Sequence, residues 1–171
     1  MELVSASCVV RNWKWQDHDS LVRHANNRKV WINLRDRFPF PYTKADATRW
    51  LDCVVELTPA TNFAIDVNGE AVGGIGFSVQ ADVCYRSAEI GYWLGEEFWG
   101  RGIATQALMT VTEYAFASFD LCRLYAHVFD WNAASARVLE KSGYSFEGRL
   151  IKSVTKDGKT IDQLLYAKTS D

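Results

Sequence analysis

The chain has 171 residues, 48% of them hydrophobic, enough to bury one sizeable core and most simply read as a single domain over residues 1–171. Nineteen Lys and Arg against 21 Asp and Glu leave a net charge of −2, so charge gives no reason to expect nucleic acid or an anionic membrane as partner. Cys8, Cys53, Cys84 and Cys122 are scattered, with no C-x-x-C and no His at ligand spacing, which argues against a disulfide framework or structural zinc and for reduced thiols in the cytoplasm.

The opening MELVSASCVVRNWKW lacks a basic stretch followed by an apolar one, so no signal peptide is read. No apolar run approaches the ~18 residues that span a bilayer. A first strand is expected near residues 7–11, a helix over about 16–26, and a short helical piece over 28–34. Pro39 and Pro41 keep RDRFPFPYT out of any regular helix. Thr43 has the character of an N-cap, with Asp46 three residues on. The helix it opens, KADATRWLDCVVEL, sets Trp50, Val54 and Leu57 along one apolar stripe. After Pro59 the period changes to two. NFAIDV and AVGGIGFSV flank Asn68-Gly69, a pair suited to a type I′ hairpin turn. The strand SAEIGYWL follows, then a helix over 103–119, the strand RLYAHVF, and the helix AASARVLEKS closed by Gly143. Two last strands, YSFEGRLIKSV and IDQLLYAK, turn at KDGK. The fold class is α/β (α+β), with a mixed, mostly antiparallel sheet of six to seven strands flanked by helices.

Two stretches carry chemistry. In GEEFWGRGIATQ, Gly100 and Gly102 stand directly before a helix start, where unpaired N–H groups and the helix dipole favour an anion. The stretch is no Walker loop, because the Lys-Ser/Thr pair is missing, and Thr105 breaks G-x-G-x-x-G. A plain structural turn is the alternative. Some thirty residues on, WNAASARVLEKSGY again opens a helix directly after a strand. Asn132 suits its N-cap and Ser135 its first turn. Both helix starts fall at strand ends, where ligands of open α/β sheets bind.

Together these residues resemble the GNAT superfamily of N-acetyltransferases, in its RimJ/RimL-like branch. The pattern Gln/Arg-x-x-Gly-x-Gly/Ala falls on Trp99, Gly100, Arg101, Gly102, Ile103 and Ala104, and Asn-x-x-Ala/Ser…Lys-x-Gly-Phe/Tyr falls on Asn132, Ser135, Lys141, Gly143 and Tyr144. The likeness runs from about Val9 to Ala167, with Trp99 a departure where Gln or Arg is usual. It implies acetyl-coenzyme A as cosubstrate and no metal. The amides of Arg101, Gly102, Ile103, Ala104 and Thr105 would cradle its pyrophosphate. It implies a bulge in SAEIGYWL that splays the sheet between the fourth and fifth strands, SAEIGYWL and RLYAHVF. Backbone groups of Tyr92, Trp93 and Leu94 would then meet the pantetheine arm, with Asn132 and Ser135 lining the cofactor site from the later helix.

The reaction so implied is direct acetyl transfer to an amine, which needs a base for the amine and a donor for the departing thiolate. Glu89 is the base candidate, a solvated or ion-paired carboxylate being the alternative. Glu96 and Glu97 read as solvated. None of His18, His24 and His127 shows a triad-like setting, and no cysteine falls in either motif. Many GNAT enzymes place a tyrosine where this chain has Leu139. Ser135, one turn earlier on the same helix face, is expected to serve the sulfur in its stead, and Tyr144 is not. Trp31, Arg35, Arg37, Phe40 and Tyr42 are expected to border the acceptor groove, unless they form a covering aromatic core with solvated arginines. The branch implies a protein N-terminal α-amine, of ribosomal-protein type, as acceptor, acted on by a monomer or homodimer. A small amine such as an amino acid, polyamine or antibiotic is the alternative. A non-catalytic acyl-coenzyme A sensor and a nucleotide-binding regulatory domain are the rival classes.

Overall fold

The strands expected after Pro59 all form, and the computed structural model, which describes residues 2–170, joins them into one sheet. Its strands are β1 (Glu2–Val4), β2 (Val9–Asn12), β3 (Asn62–Val67), β4 (Glu70–Val79), β5 (Ser87–Leu94), β6 (Arg123–Phe129), β7 (Ser145–Lys156) and β8 (Lys159–Thr169). The spatial order is β1-β2-β3-β4-β5-β6-β8-β7, with β5 and β6 parallel and every other pair antiparallel. Eight strands stand where six to seven were expected. The addition is β1, whose three residues are too few to display a period. Asn68 (φ 56°) and Gly69 (φ 86°) make the hairpin turn of β3 and β4, and Asp157 (φ 51°) and Gly158 (φ 74°) that of β7 and β8.

The helices are α1 (His18–Ala25), α2 (Arg28–Trp31), α3 (Lys44–Val54), α4 (Ile103–Ser118) and α5 (Ala133–Lys141). No described helix is long and apolar enough to cross a membrane. The sheet separates two cores. Phe63, Ile65, Ile90 and Leu124 bury their side chains with Leu108 and Val111 of α4 and Leu139 of α5. Ala64 and Ala71 face the other way, onto Leu21 of α1 and Leu51 of α3. β3 is buried on both faces because it lies inside the sheet, covered on each side, with Phe63 and Ile65 on one face and Ala64 and Asp66 on the other.

Thr43 does cap α3, in a reciprocal box with Asp46. The helix stops at Val54, however, and its buried stripe is Ala47, Leu51 and Val54. Leu57 lies beyond the helix end and is exposed, while Trp50 packs edge-on to Trp13. After α2 the chain continues in single-turn bonds, Asn33 to Val30 and Leu34 to Trp31, so the expected helical piece tightens into turns. The end of α5 matches its expectation. Gly143 (φ 81°) donates to Glu140 and Tyr144 to Leu139, the paired bonds of a Schellman cap.

A buried ion triad ties β2 to the start of α1 and to the β3–β4 hairpin. Arg11, 4% exposed, donates to both oxygens of Asp17 at 2.7 and 2.8 Å and to Asp66 at 2.8 Å.

β5 and β6 pair only where Ser87, Ala88 and Glu89 lie opposite Arg123, Leu124 and Tyr125. β6 goes on pairing with β8 as far as Phe129, and β5 with β4 as far as Leu94. The two strands therefore part and leave a fork. The bulge expected in β5 is not there. Its register with β4 runs unbroken from Ala88 to Leu94, and the nearest irregularity lies between β3 and β4 at Ile65 and Asp66. Each arm of the fork follows its outer ladder, which suffices to open the gap.

Candidate functional site

At the mouth of the fork, β5 runs through Gly95 and a single 3-10 turn (Glu96–Phe98) into the start of α4. Gly102 is the N-cap in left-handed conformation, φ +76°, and caps with no side chain. The first helical bond runs from Gln106 to the Gly102 carbonyl, so the N–H groups of Ile103, Ala104 and Thr105 have no partner within the helix. A Cβ built on Gly100 or Gly102 would meet nothing within 4 Å. These glycines are required by their φ, and open space lies before them. Arg101 rests its guanidinium 5.4 Å from the Phe98 ring centre. Trp99, the departure in the motif, donates its indole N–H to the Leu94 carbonyl at 2.7 Å. Glu96 is not simply solvated: Lys29 and Asn27 both bond its carboxylate, which holds its pKa below the ordinary value. The glycine loop is thereby tied to the start of α2.

Ladder parity decides which backbone groups face the fork. Gly95 donates to Val72 at 2.8 Å and Gln80 to Ser87 at 2.9 Å. Bonded and non-bonded pairs alternate in an antiparallel ladder, so Glu89, Gly91 and Trp93 bond to β4 while the polar groups of Tyr92 and Leu94 turn toward β6. Trp93 is therefore a correction to the expected set. Its amide and carbonyl are spent on Gly74, and its indole packs on Phe38 and the second core. The Leu94 carbonyl is taken by Trp99. The Leu94 N–H and both groups of Tyr92 face the gap.

Inside the fork two hydroxyls meet. Tyr92 Oη lies 2.8 Å from Ser135 Oγ and also donates to the Ser135 carbonyl at 3.2 Å. Asn132 caps α5 as expected, its Oδ1 accepting from the Ser135 N–H at 3.2 Å. Burial raises the Tyr92 phenol well above its ordinary pKa, so it stays protonated at any physiological pH. The sequence pointed to the Tyr92 backbone and missed this hydroxyl. The available signal was alternation, since Ile90, Tyr92 and Leu94 share one face of β5 and only Tyr92 has a polar tip. Tyr144 is 3% exposed and spends its hydroxyl on Thr112 Oγ1 at 2.8 Å, its phenol pushed up to about 12 by burial.

On the opposite face of the sheet, Glu89 stands where the strands part. Its Oε1 accepts from Arg35 and lies 3.0 Å from His127 Nδ1. The His127 bond chiefly, and then the Arg35 charge, hold the Glu89 carboxyl below its ordinary pKa against the opposing effect of burial. His127 thus has the carboxylate partner that no sequence pattern indicated.

Of the expected acceptor set, Arg35 reaches this centre directly. Trp31 and Phe40 place their ring centres 5.8 Å apart, Phe40 partly exposed. Arg37 is exposed and makes no ion pair among the described residues. Tyr42 is the second correction. It is 4% exposed and packs on Phe38 in the core beneath α1 and α3, so it supports the segment and cannot border a groove. Lys156 was not anticipated. Its side chain is 2% exposed, with Nζ 2.6 Å from Asp36 and 3.7 Å over the Trp31 ring. Arg28 with Asp157 and Trp131 with Asn33 complete the pinning of this segment by the β7–β8 turn and the loop after β6. Lys156→Met should keep the packing, free Asp36, and speed proteolytic cleavage within residues 35–42 severalfold; an unchanged cleavage rate would show that the segment is held without it. No cluster of three or more metal-binding side chains occurs among the described residues.

The N-acetyltransferase YoaA of Bacillus subtilis is 38% identical over 98 residues, a match that spans 57% of this chain and 55% of that protein. The ribosomal-protein-serine acetyltransferase of Escherichia coli is 32% identical over 147 residues, covering 84% of this chain and 82% of the relative. Among solved structures, RimJ of Mycobacterium smegmatis in complex with CoA-disulfide superposes with a TM-score of 0.81 at 28% identity, over 99% of this chain and 85% of that one. Residues 8–145 match the acetyltransferase (GNAT) domain, and the chain belongs to that family.

Proposed function

We propose that this protein transfers the acetyl group of acetyl-coenzyme A directly to an amine in the cytoplasm, and that the amine is the α-amino group of a protein N-terminus. The observation that carries the reading is the fork itself, with a bare helix start at its mouth and a protonated hydroxyl pair inside. The amides from Arg101 to Thr105, with the Arg101 charge, take the pyrophosphate. The pantetheine arm adds along β5, meeting the free groups of Tyr92 and Leu94 as a peptide adds to an open sheet edge. Asn132 fixes the α5 start so that Ser135 and Tyr92 face the thioester sulfur. The amine approaches from the Glu89 face, past Trp31, Arg35, Arg37 and Phe40. The ribosomal-protein-serine acetyltransferase among the relatives supports a protein α-amine as acceptor.

Calorimetric titration with acetyl-coenzyme A, NAD and ATP tests the cofactor, and thiol release across amines and N-terminal peptides tests the transfer. Preference for NAD or ATP would contradict the cofactor assignment, and binding without turnover on any amine would leave a sensor. Gly102→Val should weaken acetyl-coenzyme A binding at least tenfold, about 1.4 kcal/mol. A β-branched residue at φ +76° also costs the fold about 1–2 kcal/mol, although nothing lies within 4 Å of the Cβ position. Unchanged affinity in a folded variant would remove this loop from the site.

A further inference from the structure

Glu89 and His127 sit on neighbouring strands where β5 and β6 part, and their chemistry is not interchangeable. A carboxylate beside a guanidinium stays ionised and offers only lone pairs. The proton of the Glu89–His127 bond therefore belongs to His127 Nδ1. In the neutral ring the free lone pair is then on Nε2. That atom has no protein partner among the described residues, and the side chain is 24% exposed.

We propose that His127 Nε2, and not the Glu89 carboxylate, takes the proton from the incoming amine, while Glu89 is a positioning residue that fixes the ring's tautomer and orientation. This rests on the acetyl-transfer reading above. Three groups face the imidazole: Glu89 from β5, Arg35 from the segment after α2, and the Tyr125 ring, 5.6 Å away on its own strand. β8 presents the uncharged Leu165 opposite. The Glu89 carboxyl, held below its ordinary pKa, is a weaker base than a free glutamate, whereas an imidazole is suited to proton transfer near neutral pH. In the step itself the ammonium gives one proton to Nε2, and the imidazolium formed is stabilised by Glu89. The amine lone pair forms the C–N bond to the thioester carbonyl, and the C–S bond breaks with its electron pair on sulfur. The second amine proton ends on the thiolate, and His127 returns its own to solvent.

The test is kcat/KM against pH for the wild type, His127→Gln and Glu89→Gln, using the amine that the wild type acetylates fastest. His127→Gln should lose about 100-fold with acetyl-coenzyme A affinity intact, and its rate should rise steadily with pH as the free amine fraction grows. Glu89→Gln should lose about tenfold and retain an acidic limb, moved to lower pH because the imidazolium has lost the carboxylate that stabilised it. In His127→Ala, added imidazole should restore part of the rate, which separates a missing base from a damaged fold. A His127→Gln enzyme near wild-type rate with its limb intact, or loss of that limb in Glu89→Gln alone, would return the role to Glu89. A wild type that acetylates no amine would instead sink the transfer reading, a different and recognisable failure.

Discussion

Arg11→Met should destabilise the fold by about 3–5 kcal/mol, the cost of leaving buried charges without their partner. Asp17 and Asp66 are 6% and 7% exposed, and the Arg11 guanidinium is the cation that faces both. Each carboxylate would keep one backbone donor, Lys14 N–H at 2.9 Å and Gly69 N–H at 2.7 Å, which places the loss toward the lower end. The methionine fills much of the vacated volume, so the effect is electrostatic more than a cavity. Because the triad is buried, added salt should barely restore stability. Urea unfolding followed by tryptophan fluorescence measures this directly. A loss under about 1 kcal/mol would mean that the triad behaves as an exposed pair.

The second large effect concerns the hydroxyl pair. Ser135→Ala and Tyr92→Phe should each lower kcat roughly ten- to a hundredfold with little change in acetyl-coenzyme A affinity, since a bond to developing thiolate strengthens in the transition state. When Tyr92 turns its one proton from the Ser135 carbonyl to Ser135 Oγ, the serine proton is free for the sulfur, and the two bonds then polarise each other. Residues acting as such a unit are not additive, so the double variant should be little worse than either single one. Tyr144→Phe removes a buried bond to Thr112 and should cost about 1 kcal/mol of stability while leaving kcat unchanged. Loss of activity in Tyr144→Phe, with Ser135→Ala intact, would reverse the assignment.

What the sequence disclosed and what it hid divide along physical lines. Hairpin turns, helix caps and strand alternation are local, so Asn68-Gly69, Thr43, Asn132, Gly143 and the bounds of β5 were all legible. The glycine before α4 stood out for the same reason, one residue sufficing to mark it, whereas its left-handed φ shows only in the fold. Properties set by a distant partner were not. Trp93 lost its expected role because ladder parity depends on where β4 pairs, which no pattern inside β5 records. Tyr42 faces inward because α1 and α3 cover it. His127 finds Glu89 across 38 residues and Lys156 finds Asp36 across 120. β1 is a strand only because β2 is beside it.

The most direct test of acetyl transfer to a protein N-terminus is mass spectrometry of a peptide that carries both a free α-amine and a lysine, incubated with enzyme and acetyl-coenzyme A. One acetyl group on the α-amine, the lysine unmodified, and one equivalent of free coenzyme A is the expected result. Acetyl-coenzyme A that stays intact against this peptide and every amine of the panel, although it binds, would contradict the account.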